Sequence, residues 1–223
     1  MAQTSSLKEF LARNRIDDKT WEQANIEWSV LQAIAADHGK QSEQLGDSAT
    51  LFAKSIQKFE KVHSVRWRVK ASSHLLEKII RKRAEGNEKY ADISLDNYFE
   101  RVTDLVGIRA LHLFKEDCLE IDMALRKLWS PIETPVVYKR AGDSDDLNSN
   151  LEQNGFAIKD HPAGYRSVHY VFESRPLNRK VVTEHGYAAM CGYGVRLRLW
   201  ATAMGSGLAF CLCCHLIYQQ LRY

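Results

Sequence analysis

The spacing of the apolar residues changes part-way along the chain, and this change is the strongest constraint on its fold. Before residue 105 the apolar positions recur every three or four residues, as in helices; one such pattern, IDDKTWEQANIEWSVLQAIAADHGK, is predicted to end at Gly39. From Leu105 onward, segments such as LVGIRALHLF and SVHYVFES have the pattern of strands, with the helical pattern EDCLEIDMALRKLW between them. The sequence therefore predicts an α+β fold, with an N-terminal helical segment followed by a mixed β-sheet flanked by helices.

The charged residues are unevenly distributed. Residues 1–184 carry 28 basic and 28 acidic side chains, and the net charge of +3 comes from the arginines of residues 185–223. A neutral body argues against broad nucleic-acid binding, which needs a basic surface. The N-terminus lacks the apolar core of a secretory signal, and the cysteines have neither zinc-site spacing nor a disulfide framework. We therefore expect a cytoplasmic protein without disulfides.

The composition changes again after Glu184. Leu199–Leu221 is an uncharged run long enough to span a bilayer, but polar residues interrupt it, so we expect no membrane association. The loss of all acids and lysines is what a reading-frame change or a truncation would leave. The expected organisation is an N-terminal helical region over residues 1–47, a mixed domain over residues 48–184 and an atypical apolar tail over residues 185–223.

Two groups of charged residues stand at the start of predicted elements. Arg68 and Lys70 precede the helix that carries Lys78, and convergent cations of this kind suit a polyphosphate. Asp104 opens the next strand, and a carboxylate near cations is a natural Mg²⁺ ligand. Each group has an ordinary alternative: the cations would form a solvated helix face, and Asp104 would only bond backbone in a turn.

Two further groups lie in and after the segment GYRSVHYVF. Tyr165 offers a ring on which a base would stack, and Arg166 and His169 would reach a phosphate or a ribose. Glu184 ends the later strand KVVTE, where it would complete a two-carboxylate site for a metal or a proton. The alternatives are a packed tyrosine, a core histidine and an exposed acid at a strand end.

The order and spacing of these groups resemble the alarmone synthetase domain of the RelA/SpoT family. The resemblance covers roughly Phe52 to Glu184 and is carried by Arg-x-Lys before a helix, by DLVGIR, by GYRSVHY and by the strand ending in Glu. It implies a nucleotidyltransferase-like fold and a short, synthetase-only member. It also implies Mg²⁺-dependent transfer of the β,γ-pyrophosphate of ATP to the 3′-hydroxyl of GDP or GTP, which makes (p)ppGpp in stringent-response signalling.

On the ATP side, the resemblance assigns a role to five residues. Arg68, Lys70 and Lys78 match the cations that hold the ATP phosphates. Asp104 matches the Mg²⁺ aspartate. Glu184 matches the glutamate that assists metal binding and deprotonates the 3′-hydroxyl.

On the acceptor side, Tyr165 matches the tyrosine that stacks on the guanine, Arg166 follows it, and His169 matches the histidine beside the acceptor. The chain also departs from the family. His74 stands where the family often has serine, and HPA precedes GY where many members have Lys-x-Asn. After Glu184 the sequence matches none of the family's Gln-x-Arg-Thr strand end or its following helix.

These departures leave two alternatives to the synthetase. One is a toxin-like member of the same fold that pyrophosphorylates the 3′ end of tRNA. The other is an inactive, truncated nucleotide-binding remnant. The sequence does not fix the oligomeric state, although small members often assemble through the C-terminal region that is altered here.

Overall fold

Helices dominate the N-terminal part of the chain, and most of the described strands follow residue 105. The computed structural model describes residues 6–114, 116–140, 145–160, 166–173 and 196–203. The helices are α1 (Leu7–Arg13), α2 (Asp18–Ala24), α3 (Trp28–Ile56), α4 (Ser72–Ala84), α5 (Tyr98–Arg101), α6 (Asp117–Leu128) and α7 (Asp145–Gln153). The strands are β1 (Ser64–Val69), β2 (Val106–His112), β3 (Val136–Lys139), β4 (Ala157–Asp160), β5 (Ser167–Glu173) and β6 (Arg196–Ala203). The predicted α+β class and the N-terminal helical segment are confirmed.

Side-chain caps explain where the first helices begin and end. The Ser6 hydroxyl accepts a hydrogen bond from the Glu9 amide, and the Glu9 carboxylate accepts one from the Ser6 amide, which is a capping box. The Asp17 carboxylate accepts from the Thr20 amide at the start of α2. Asn25 adopts the left-handed conformation, with φ of 45°, and ends α2. The single helical pattern of the sequence is therefore split into two helices.

The prediction that Gly39 ends a helix is wrong. Helix α3 runs unbroken from Trp28 to Ile56. A glycine inside a helix costs about 1 kcal/mol relative to alanine, and the full burial of Ile34 and Leu45 on either side of Gly39 outweighs that cost. The predicted boundary between residues 47 and 48 falls inside this helix.

The described residues form two compact units, and the first combines residues 6–49, Arg68–Val106 and residues 196–197. Its core buries side chains from α1 to α5 against one another. These core residues are Phe10, Leu11, Ile16, Ala24, Leu31, Ile34, Leu75, Leu76, Ile79, Ile80, Tyr90, Ile93, Tyr98, Val102 and Leu105. Helix α4 ends shortly before Gly86, whose φ of +70° suits glycine and stops the helix as predicted.

Arg83 fastens α4 to neighbouring segments of the first unit. Its guanidinium donates to the carbonyl oxygens of Ala24 at 2.6 Å and Asn25 at 2.7 Å, at the end of α2. It also donates to the carbonyl oxygens of Tyr90, at 3.0 Å, and Ala91. A planar guanidinium has enough fixed donors to satisfy all four carbonyls, which an ammonium group does not.

The strands form one six-stranded sheet in the order β1-β2-β6-β5-β3-β4. Strand β3 pairs parallel with β4 and antiparallel with β5, so the sheet is mixed, as predicted. The register of β3 with β5 places Val136 opposite His169 and Tyr138 opposite Ser167. Since side chains alternate between the two faces of a strand, Ser167 and His169 share one face.

The second unit contains Thr50–Trp67, Gly107–Glu173 and the described residues 198–203. Helix α6 is attached to β5 through the buried Asp122. The Tyr170 hydroxyl donates to Asp122 Oδ1 at 3.1 Å, and Arg126 Nε donates to both carboxylate oxygens at 2.7 and 2.8 Å. Burial raises the pKa of Tyr170, so the hydroxyl keeps its proton and remains a donor.

The tail supplies a strand that the sequence did not predict. Residues Arg196–Ala203 form β6, which lies between β2 and β5 in the sheet. The rest of the uncharged run lies outside the described residues. Of the helices that the structure describes, none has both the length and the apolar character needed to cross a membrane.

Candidate functional site

Three of the predicted residues meet in the first unit. The Lys78 ammonium donates to Asp104 Oδ1 at 2.7 Å, and Lys70 Nζ lies 3.2 Å from Asp104 Oδ2. The three side chains are only 14–16% exposed. We call them the lysine–aspartate cluster. It holds one more positive than negative charge in a partly desolvated setting, where charges interact more strongly than in water.

The local fold brings these residues together from three elements. Lys70 follows β1 directly, and its amide donates to the carbonyl oxygen of Leu105 at 2.8 Å. Lys78 lies on α4, which is anchored in the core by buried residues such as Leu75 and Ile79. Asp104 stands in the turn between α5 and β2, immediately before the fully buried Leu105. The alternative that Asp104 serves only to bond backbone in a turn is therefore wrong.

A buried histidine contacts the backbone of the cluster. His38 lies on α3, is 1% exposed, and places Nε2 2.6 Å from the carbonyl oxygen of Lys70. The ring packs edge-on against Tyr98, with centroids 6.5 Å apart. The Tyr98 hydroxyl donates to Asp37 Oδ2 at 2.6 Å. Sequence reasoning missed His38, because its position in a long amphipathic helix looks like that of any core residue.

Arg68 does not join the lysine–aspartate cluster in this structure. It lies on β1 with an exposed side chain, and the described residues hold no ion-pair partner for it. Its assignment to ATP phosphates stays a prediction. His74, the residue that departs from the family pattern, is also on the surface, with Nδ1 3.4 Å from Glu77 Oε2.

The second unit contains the described part of the predicted acceptor segment. His169 Nε2 lies 3.0 Å from the Ser167 hydroxyl, two residues away on the same face of β5. The ring of Tyr138 on β3 packs against the His169 ring, with centroids 4.7 Å apart and planes tilted by 58°. Arg166, just before β5, is half-buried. His169 is therefore held in place on a strand face rather than buried in the core.

Tyr138 and Ser167 were not predicted as site residues. The only signal in the sequence was that Ser167 lies two residues before His169, which places both on one strand face. Tyr138 needed the strand register, because it comes from a different strand. Tyr165 and Glu184 lie outside the described residues, so their predicted roles stay predictions, and the same holds for residues 161–163.

The predicted Mg²⁺ site can be tested against the donors that are present. Within the described ranges, no group of three or more His, Cys, Asp or Glu side chains could hold a metal ion. Mg²⁺ commonly takes one or two carboxylates and completes its shell with water and substrate phosphates. Asp104 fits the role of such a single carboxylate, since its oxygens face groups that a phosphate would also attract.

Burial keeps the described cysteine out of the candidate chemistry. The Cys118 thiol is buried on α6, in the second unit. Desolvation raises its pKa to about 11, so that it stays protonated at neutral pH and is a poor nucleophile.

Comparisons with known proteins agree with the motif order. The family model described as "Region found in RelA / SpoT proteins" matches residues 67–185, which is more than half of the chain and includes all three members of the lysine–aspartate cluster. No curated protein matches the chain in sequence.

Several solved structures are similar to the chain at low sequence identity. Small alarmone synthetase 1 from Bacillus subtilis, bound to its product pppGpp, is 18% identical over 82% of this chain and 78% of that one, with a TM-score of 0.43. A GTP pyrophosphokinase family protein from Streptococcus pneumoniae is 17% identical over 85% of this chain and 73% of that one, with a TM-score of 0.40. The assignment itself rests on the sequence match to the family model, which covers the motifs described above: the chain belongs to the RelA/SpoT family.

Proposed function

We propose that this chain is an alarmone synthetase that moves the β,γ-pyrophosphate of ATP to the 3′-hydroxyl of GDP or GTP. The observation that carries the proposal is the lysine–aspartate cluster, in which Lys70 and Lys78 converge on Asp104 within the family region. Two ammonium groups around one carboxylate suit a ligand with several negative charges and a bound cation. The triphosphate of ATP with Mg²⁺ is such a ligand.

The proposal assigns the two lysines to the phosphates of ATP. The side chains of Lys70 and Lys78 are 16% and 14% exposed, so their solvation is already partly lost before a ligand binds. Oriented charges in such a setting stabilise the charge of a transferring phosphoryl group without having to reorganise. Arg68, on the adjoining strand β1, would add a planar fork to the phosphates or to the base.

Asp104, together with Glu184, would hold the Mg²⁺. The ion would neutralise charge on the transferring phosphates when bound. The donor chemistry supports this assignment, because a carboxylate whose oxygens face ammonium groups can exchange them for a cation once the ligand's phosphates draw the lysines away.

The acceptor is assigned to residues of the second unit. Tyr165 would offer its ring to the guanine, and Arg166 would reach the acceptor's phosphates or ribose. His169 is pre-oriented for such a contact, because the Ser167 hydroxyl and the Tyr138 ring fix its plane. Holding side chains in place before the ligand arrives lowers the entropic cost of binding.

The proposed step transfers a pyrophosphoryl group from ATP to the acceptor. The 3′-oxygen of the acceptor forms a bond to the β-phosphorus of ATP, and the bond from that phosphorus to the α,β-bridging oxygen breaks, so that AMP leaves. The proton of the 3′-hydroxyl passes to the Glu184 carboxylate. Reactions of this kind depend mainly on positioning and electrostatic stabilisation, which a cluster of fixed charges can supply.

Label transfer from γ-³²P ATP tests the proposal. The full chain is incubated with Mg²⁺ and, in parallel, with GDP, GTP or deacylated tRNA. We expect label on a guanine nucleotide in the parent chain and about 10²–10³-fold slower transfer with Asp104→Asn, which keeps the shape of the side chain but removes its charge.

The matched control is Asp92→Asn. Asp92 also pairs with a cation of the first unit, since its Oδ2 lies 2.8 Å from Arg101 Nη2. The Asp92 side chain, however, is 61% exposed. Asp92→Asn should transfer label like the parent. Label on tRNA instead would move the chain to the toxin-like alternative, and no transfer to any acceptor by a folded chain would support the inactive remnant.

A further inference from the structure

His38 contacts the lysine–aspartate cluster through the backbone of Lys70, whose carbonyl oxygen lies 2.6 Å from the ring nitrogen Nε2. We propose that His38 is a positioning residue that fixes the backbone of Lys70 and so aims its ammonium group at Asp104. The expected effect of His38 on ATP binding rests on the proposed function. This positioning role gives α3, a helix of the N-terminal segment, a part in the proposed ATP site.

The hydrogen bond to Lys70 determines which nitrogen of the His38 ring carries the proton. The carbonyl oxygen of Lys70 has no proton to give, so His38 Nε2 must carry the proton and donate it over 2.6 Å. In the neutral ring Nδ1 is then an acceptor, and in the described part of the chain it is buried with no hydrogen-bond partner. An unpaired buried nitrogen is unfavourable, so an apolar ring would fill this space at lower cost. What the histidine contributes here is the bond to Lys70.

The hydrogen bond from His38 is the second of two restraints on the backbone of Lys70. Its amide already donates to the carbonyl oxygen of Leu105 at 2.8 Å, and Leu105 directly follows Asp104. With His38 holding the carbonyl, both polar backbone groups of Lys70 are bound within the first unit. The start of the Lys70 side chain is therefore fixed relative to Asp104, and its ammonium group reaches Asp104 Oδ2 at 3.2 Å with less entropy to lose.

The ring of His38 is itself held in place. Tyr98 packs edge-on against it, and the Tyr98 hydroxyl is anchored to Asp37, the residue before His38. Both aromatic groups are almost fully buried, at 1% exposure each. The helix thus presents a rigid donor to Lys70, which a surface side chain would not do.

The chain contains a matched control for His38. His112, in the second unit, is 2% exposed and has one ring nitrogen, Nδ1, 2.7 Å from the carbonyl oxygen of Phe114. Its other ring nitrogen, Nε2, is buried without a hydrogen-bond partner in the described residues. Replacing either histidine with phenylalanine removes one hydrogen bond to a backbone carbonyl from a buried site. Only His38 has a cluster residue as its partner.

The test compares His38→Phe, His38→Gln and His112→Phe with the parent chain. Glutamine carries an N–H donor that reaches the position of Nε2, so His38→Gln should restore what His38→Phe loses. Binding of α,β-methylene-ATP with Mg²⁺ and of GDP is measured by calorimetry. We expect His38→Phe to weaken binding of the ATP analogue by about tenfold, the effect of one lost hydrogen bond, and to leave GDP binding unchanged.

A second measurement does not depend on nucleotide binding. Hydrogen–deuterium exchange of the peptide that contains Lys70 should be faster in His38→Phe than in the parent and in His112→Phe, and near the parent rate in His38→Gln. If exchange in His38→Phe equals that of His112→Phe, the positioning role is overturned. If exchange changes as expected but the parent binds no ATP analogue, the restraint on Lys70 stands and the proposed function fails instead.

Discussion

The two units hold their predicted site residues in place by different interactions. In the first, two ammonium groups and a carboxylate are held together with little exposure to solvent. In the second, His169 is fixed by a neutral hydroxyl and an aromatic ring on a strand face. The first arrangement suits a highly charged ligand, and the second suits a flat one with a ribose. This difference predicts that substitutions in the first unit act through charge and those in the second through stacking.

The largest effect is expected at Asp104. Asp104→Asn should lower the transfer rate by about 10²–10³-fold, the range found when one preorganised electrostatic contact is lost. The change leaves two partly buried ammonium groups without their carboxylate, so unfolding should also become easier by about 1–3 kcal/mol. Steady-state rates and urea unfolding measure the two effects. Transfer within a few-fold of the parent would break the assignment of Asp104.

The next largest effect tests the acceptor side. Tyr165→Ala should raise the KM for GDP or GTP by about 5–150-fold, because stacking a base on an aromatic ring contributes about 1–3 kcal/mol. Binding of α,β-methylene-ATP should not change. An equal loss for both nucleotides would contradict the division of labour between charge and stacking.

A smaller effect on the same side is expected from Tyr138. Tyr138→Leu keeps an apolar side chain on β3 but removes the ring that packs on His169, a contact worth about 0.5–1.5 kcal/mol. We expect the KM for the acceptor to rise by roughly 2–10-fold, with little change in kcat. Val137→Ala, whose side chain lies on the other face of β3, is the control and should not affect the acceptor KM.

The smallest predicted effect concerns pH and stability. Burial lowers the pKa of both His38 and His112, with only partial compensation from their bonds to backbone carbonyls. The folded chain therefore takes up these protons less readily than the unfolded chain, whose histidines titrate near pH 6.5. The free energy of unfolding should be greatest above about pH 6.5 and should fall as the pH is lowered below it.

Thermal unfolding at about pH 7.5 and about pH 5.5 measures this dependence. His112→Phe removes one of the two groups, so its melting temperature should fall less between the two pH values than that of the parent. A fall as large as the parent's would show that His112 is not held neutral by burial.

The sequence predicted those parts of the molecule that depend on local pattern. Periodicity and turn residues predicted helix α4 with its stop at Gly86 and the strands β2 and β5. The order of the charged residues is read directly from the sequence. The prediction at Gly39 was wrong because the burial of neighbouring side chains outweighs the free-energy cost of one glycine inside a helix. The meeting of Lys70, Lys78 and Asp104 was one of two interpretations that the residues left open, and the resemblance to a known motif favoured it.

The parts that could not be predicted depend on contacts between residues distant in sequence. His38 lies 32 residues from Lys70, and nothing near His38 marks it as different from a core residue. Tyr138 meets His169 through strand register, which a single sequence does not fix. Strand β6 was missed because its surroundings have the composition of a segment foreign to the domain.

The most direct test of the central claim is the identity of the nucleotide that ATP becomes. The full chain is incubated with Mg²⁺, ATP and GDP, and the products are separated and counted. Transfer of pyrophosphate to the 3′-oxygen predicts AMP and a guanosine 3′-diphosphate derivative in equal amounts. Both should form about 10²–10³-fold more slowly with Asp104→Asn and at the parent rate with Asp92→Asn. Formation of ADP, or AMP without a matching guanosine product, would contradict it.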